Sequence, residues 1–221
     1  IITTELDISN RSMKEGHDML DRAIIDHASP TLARLKMGNL FNHTMGEGFP
    51  IEFAELCRQL QDKGVTMTCL QISKGKALIY VYRADELEKV LRDESVQQLL
   101  ANCGYSCFNV TGALDTLRMR LHSNDAFPHE IGIFLGYPLE DVLGFIENGG
   151  RNCLSCGCWK VYSNECAALQ AFRRYEKCKS VYQRLFASGC PLSPRCKCSC
   201  DPSFGTPRRT RGRHFSRVRL L

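Results

Sequence analysis

Apolar residues recur at helical spacing in several parts of the chain. Between Phe49 and Lys63 they share one face (Phe53, Leu56, Cys57 and Leu60), and Gly64 follows as a helix stop. A longer pattern covers residues 164–186, which predicts a long amphipathic helix. Shorter helical patterns are found at residues 85–93, 95–101, 114–122 and 139–148.

Other segments have the composition of strands. Val65–Ile72 and Ala77–Tyr82 are rich in β-branched and aromatic residues, and the Ser-Lys-Gly-Lys sequence between them predicts a hairpin. Further strands are predicted at Glu130–Leu135 and Cys158–Tyr162, whereas residues 30–43 read as a short helix or an ordered connection. We therefore predict a single α/β domain over residues 13–189, in which helices cover a mixed sheet of about four strands.

The composition is that of a globular protein, with 43% hydrophobic and 24% charged residues. The apolar run Ile131–Leu139 is far shorter than the ~20 residues that a membrane helix requires, so we expect no membrane association. No apolar segment in the first part of this sequence has the charged start and apolar stretch of a secretory signal. We accordingly expect a cytoplasmic protein whose 13 cysteines are reduced.

Positive charge is concentrated at the C-terminal end. Residues 191–221 contain eight Lys and Arg against one Asp, a net charge of +7, so the rest of the chain carries −2 of the total +5. This distribution argues against a nucleic-acid partner, except for nonspecific contacts through the tail. We expect residues 190–221 to form a disordered tail and residues 1–12 an unstructured leader, with Met13 as a candidate start.

The segment between Phe127 and Tyr162 contains most of the candidate chemistry. His129 and Glu130 are candidate acid–base residues, with a structural role as the alternative. A zinc-protease motif would need a second His four residues after the first, but position 133 is Ile. The predicted corner after residue 136 leads into a helix whose first turn is acidic, which disfavours a phosphate site.

The same segment holds the cluster Cys153, Cys156 and Cys158. A C-x-x-C-G sequence resembles one knuckle of a zinc or rubredoxin-type iron site, although a fourth ligand would have to come from elsewhere. A redox role and plain structural cysteines are the alternatives. Tyr137, Trp159 and Lys160 are the candidate ligand-pocket residues, and core packing or solvation is the alternative for each.

Five motifs of the chain resemble the prokaryotic family called domain of unknown function 3793. They are HASPTLARLKMGNLF, KGKALIYVYR, FPHEIGIFLGYPLEDVLGFIENGG, CGCWKVY and FRRYEKCKSVYQRLFASG. The resemblance implies a cytoplasmic protein, mostly found in anaerobic bacteria, with no established activity. It also implies an early His-Cys-Ala-Pro motif and a short apolar C-terminal end, whereas this chain has His27-Ala28-Ser29-Pro30 and a Cys/Arg-rich tail.

Three functions are compatible with these patterns. The first is a small binding or regulatory protein with a cysteine-based metal or redox site. The second is an enzyme in which a cysteine or Glu130 works with His129 in a pocket at the predicted corner. The third is a structural module that binds a protein partner.

Overall fold

The computed structural model describes residues 19–123 and 127–190. The helices are α1 (residues 19–32), α2 (Phe49–Gln61), α3 (Ala84–Leu91), α4 (Glu94–Asn102), α5 (Val110–His122), α6 (Ile131–Phe134), α7 (Leu139–Asn148) and α8 (Glu165–Ala187). The strands are β1 (Gly38–Thr44), β2 (Thr66–Ser73), β3 (Lys76–Tyr82), β4 (Ser155–Cys156) and β5 (Lys160–Val161). No helix in these two ranges is long and apolar enough to cross a membrane. The predicted leader and all but residue 190 of the predicted tail lie outside them.

The main sheet is antiparallel, with the strand order β1-β3-β2. The hairpin between β2 and β3, predicted from the sequence, is confirmed. Its turn residues Lys74 and Gly75 have φ values of 50° and 72°, which suits the right-handed twist of the two strands. β3 is the central strand, and it is buried from Ala77 to Tyr82.

The two faces of β3 contribute to two separate apolar cores, because neighbouring residues of a strand point to opposite sides. One core contains Ala77, Ile79 and Val81 together with residues of α1 and α2. The other contains Leu78, Tyr80 and Tyr82 together with residues of α3 to α7. The molecule is thus a helix–sheet–helix sandwich, which confirms the predicted α/β class.

The predicted strand at Glu130–Leu135 is wrong. Residues Ile131–Phe134 form the short helix α6, and all four of them are buried. A short buried apolar run has no polar face from which its period can be read, so alternation alone does not distinguish strand from helix. The Tyr80 hydroxyl donates a hydrogen bond to the Phe134 carbonyl, which fixes α6 on the sheet.

The predicted sheet of about four strands is also wrong. β1 occupies part of residues 30–43, where no strand was predicted, and it completes the main sheet. The predicted strand Cys158–Tyr162 is reduced to β5, which pairs only with β4 in a separate two-stranded sheet. Both sheets are antiparallel, not mixed.

Helix α7 agrees with its predicted bounds and carries the β4–β5 hairpin. Gly149, with φ of 56°, ends the helix in the left-handed conformation that glycine adopts without a steric penalty. Gly144 lets the hairpin approach closely, since a Cβ at this position would lie 2.6 Å from the Tyr162 ring. The hairpin therefore lies directly against α7, where it forms one side of the site described next.

Candidate functional site

Asp141 of α7 anchors the hairpin. Its buried carboxylate accepts hydrogen bonds from the Trp159 indole (2.7 Å), the backbone amides of Tyr162 (2.8 Å) and Ser163 (2.9 Å), and the Ser163 hydroxyl (2.8 Å). Burial alone would raise the pKa of Asp141, but these hydrogen bonds to the charged form lower it below the usual value. Asp141 therefore acts as an ionised structural anchor.

A cavity of about 350 Å³ lies between α6, α7 and the hairpin; we call it the apolar cavity. Five aromatic rings contribute to its lining, those of Phe127, His129, Tyr137, Phe145 and Trp159. The Tyr137 and Trp159 rings are stacked with their centroids 5.0 Å apart. Cavities with mostly apolar walls and a few polar groups are typical sites for small molecules.

The polar groups of the apolar cavity gather around Phe145. The exposed His129 ring contacts Phe145 edge-on, with centroids 4.9 Å apart, and the Lys160 ammonium lies 5.8 Å from the Phe145 centroid. Lys160 also donates a hydrogen bond to the Gly150 carbonyl at 2.5 Å. An ammonium has three donors, so Lys160 can still donate to a ligand.

The structure brings together most of the residues selected from the sequence. Tyr137, Trp159 and Lys160, the predicted ligand-pocket residues, all line the apolar cavity. His129 and Cys156 line the same cavity, although 27 positions separate them along the chain. Ligand binding by these residues stays a prediction.

Glu130 does not belong to this cavity. Only 2% of it is exposed, and its carboxylate accepts hydrogen bonds from Arg120 Nε at 2.5 Å and from the Tyr105 hydroxyl at 3.2 Å. Burial, followed by the charge of Glu130, raises the pKa of Tyr105, which keeps the phenol protonated as a donor. Glu130 is therefore placed as part of an internal ion pair, and His129 and Glu130 do not face one another in a pocket.

The three cysteines are not grouped around one point as metal ligands would be. Cys156 lines the apolar cavity, whereas Cys158 lines a different pocket. Within residues 19–123 and 127–190, no three His, Cys, Asp or Glu residues are grouped so that they could hold a metal ion. The structure therefore gives no support to the predicted zinc or iron site at Cys153, Cys156 and Cys158.

The second pocket has a volume of about 320 Å³ and lies on the other side of Tyr137; we call it the polar pocket. Its most unusual residue is Lys36, which is only 7% exposed. The Lys36 ammonium lies over the Tyr137 ring, 5.0 Å from its centroid, and Tyr137 in turn donates to the Cys158 carbonyl at 3.0 Å. Burial lowers the pKa of Lys36 to about 8, partly offset by the nearby Cys158 thiol.

Lys36 was not predicted as a functional residue. The available signal was a lysine between Leu35 and Met37, in a segment that leads into a strand. Lysines in such positions usually extend their ammonium groups to water, so sequence reasoning assigns them no role. The pocket of Lys36 is lined by residues of α1, β1, α8 and the β4–β5 hairpin, which are distant from one another in the sequence.

Comparisons with known proteins place the chain in a family but give no function. No curated protein and no solved structure matches it. The family described as "Protein of unknown function (DUF3793)" matches residues 24–194, a range that includes both pockets and the predicted motifs. The chain belongs to this family, as its motifs predicted.

Proposed function

We propose that the protein binds a small, ring-containing and largely apolar molecule in the apolar cavity. The observation that carries this proposal is the set of five aromatic rings around one cavity of about 350 Å³. Apolar walls supply affinity through the area removed from water, and stacked or edge-to-face rings favour a planar ligand. This extends the binding or regulatory role that the sequence suggested.

The polar groups of the cavity define the rest of the ligand. The Trp159 ring lines the cavity, but its indole N–H cannot donate to the ligand, because it is hydrogen-bonded to Asp141. Lys160 and the exposed His129 both lie against Phe145. We therefore expect the ligand to carry one acceptor or anionic group that receives hydrogen bonds near this ring.

Trp159 provides a direct assay, because it is the only tryptophan of the chain. The probe is 8-anilinonaphthalene-1-sulfonate, an aromatic anion of the expected kind. We expect saturable binding with quenching of Trp159, and at least a tenfold loss of affinity on Cys156→Leu, since a larger side chain occupies part of the cavity. Cys166→Leu is the matched control, because Cys166 is exposed on α8 and is not among the cavity residues.

Two results would reject this proposal. One is probe binding that leaves the fluorescence of Trp159 unchanged. The other is equal affinity of Cys156→Leu and Cys166→Leu while both variants unfold cooperatively in urea. The cooperative transition is required because the same dye also binds loosely packed states.

One observation favours an enzyme as the second candidate. His129 and Cys156 line the same cavity, so an imidazole and a thiol face a common space. If His129 activates the thiol, iodoacetamide should alkylate Cys156 faster than the exposed Cys107 at pH 7, and His129→Gln should remove the difference. Equal alkylation of the two cysteines would eliminate this candidate.

A further inference from the structure

The molecule contains a buried amine without a counter-ion, in the polar pocket. The Lys36 ammonium forms no hydrogen bond or ion pair with any residue in the described ranges, and it lies over the Tyr137 ring. A buried charge is normally paired or hydrogen-bonded, since the loss of hydration is costly. The other buried cation among the described residues, Arg83, follows this rule by donating to the carbonyls of Thr31, Leu32, Lys63 and Gly64.

The surroundings of Lys36 give the pocket no preference for an anion. The pocket also contains half-buried Asp26 of α1 and two residues of α8, exposed Glu176 and half-buried Lys179. The remaining titratable groups that line the pocket are His27, Tyr137, Cys158 and Tyr175. Positive and negative groups are balanced in number, so an uncharged reactive group fits better than a carboxylate or phosphate.

We propose that Lys36 is the nucleophile of a second site, which captures the carbonyl group of a small aldehyde or ketone as an imine. Desolvated lysines are the amines that proteins use for this reaction, because they are partly unprotonated near neutral pH. The burial that lowers the pKa of Lys36 to about 8 supplies this condition. The site is separate from the apolar cavity, and its test is independent of the function proposed above.

The reaction needs no oxidant or reductant. The nitrogen of the neutral amine attacks the carbonyl carbon, and the π electrons of the C=O bond move to oxygen. Proton transfer gives a carbinolamine, which expels that oxygen as water and leaves a C=N bond. The carboxyl groups of Asp26 and Glu176 in the pocket lining are candidate carriers for these protons.

The experiment uses the full chain, benzaldehyde as the probe, and sodium cyanoborohydride, whose hydride reduces the imine to a stable secondary amine. Peptide mapping by mass spectrometry at pH 7 then gives the rate of modification of each lysine. We expect Lys36 to be modified at least tenfold faster than the exposed Lys76, because a lower amine pKa leaves a larger unprotonated fraction. In urea-unfolded protein the two rates should become equal.

A matched variant separates the amine from its charge. Lys36→Arg keeps a cation in the pocket but cannot form an imine, so the fast-modified site should disappear while the rate at Lys76 stays the same. Modification of Lys36 at or below the rate of Lys76 in the folded protein would overturn the proposal. The proposal would also be overturned if another lysine in Lys36→Arg were modified as fast as the fastest lysine of the original protein.

Discussion

Arg83 and Lys36 are two buried cations with opposite environments. Arg83, 4% exposed, lies at the junction of α1, α2 and β3, where its guanidinium donates to four backbone carbonyls. Lys36, 7% exposed, lies beside Tyr137 in the polar pocket, and its ammonium has no hydrogen-bond acceptor among the described residues. Burial is nearly the same in the two cases, and only the hydrogen bonding differs.

The difference indicates which of the two cations stabilises the fold. The hydrogen bonds of a partnered guanidinium replace those that it loses with water, so its burial can contribute to stability. An unpartnered ammonium loses hydration and gains no hydrogen bond in return, so it destabilises the folded chain despite its contact with the Tyr137 ring. Residues that destabilise a fold in this way are frequently found at functional sites.

Substitution of Arg83 should have the largest effect. We expect Arg83→Met to lower the free energy of unfolding by about 3–4 kcal/mol, because four hydrogen bonds from the guanidinium to backbone carbonyls are lost. Urea unfolding at pH 7 measures this change. Arg92→Met is the control, since Arg92 forms an exposed ion pair with Glu88 and should change stability by less than about 0.5 kcal/mol. Equal effects of the two substitutions would show that the hydrogen bonds of Arg83 do not stabilise the fold.

Substitution of Glu130 should have the next largest effect on stability, because Glu130 is a buried carboxylate that has hydrogen-bond partners. We expect Glu130→Gln to destabilise by about 2–3 kcal/mol, because it removes the charge from a buried ion pair with Arg120. Binding of the fluorescent probe in the apolar cavity should be retained, since Glu130 does not line it. If Glu130→Gln had unchanged stability but altered probe binding, Glu130 would again be a candidate residue of the functional site.

Much of the fold was predictable where local signals agree. In α7, the preceding Pro138, the acidic first turn and Gly149 all mark the same helix, and its predicted bounds are confirmed. The turn at Lys74 and Gly75 likewise predicted the hairpin of β2 and β3. The strand β1 was missed because its residues alternate only weakly, with Leu40 and Asn39 equally half-buried.

The site was predictable in part, for a related reason. Tyr137, Trp159 and His129 were selected from one segment of the chain, but 30 positions separate His129 from Trp159, so the sequence did not show that they line one cavity. The internal partners of Glu130, namely Arg120 and Tyr105, come from other elements that no local pattern connects with it. Lys36 could not be predicted as a functional residue for the same reason. Its pocket is lined by α1, β1, α8 and the β4–β5 hairpin, which no local sequence pattern connects.

Lys36→Met should have the smallest effect and the opposite sign. We expect it to raise the free energy of unfolding at pH 7 by about 1–2 kcal/mol, because an apolar chain of similar length replaces a desolvated ammonium. The folded-state pKa of about 8 lies below the usual value of 10.5, so the unfolded chain binds more protons between these pH values. The lysine form therefore gains stability as pH rises through this interval, and the advantage of methionine should shrink.

The most direct test of the central claim is the urea unfolding of Lys36→Met and of the original chain at pH 7 and pH 9.5. Lys76→Met, at an exposed position of β3, is the control and should match the original chain at both pH values. We expect Lys36→Met to be the more stable protein at pH 7, with a smaller advantage at pH 9.5. A less stable Lys36→Met at pH 7 would contradict the claim, because it would show that Lys36 supports the fold.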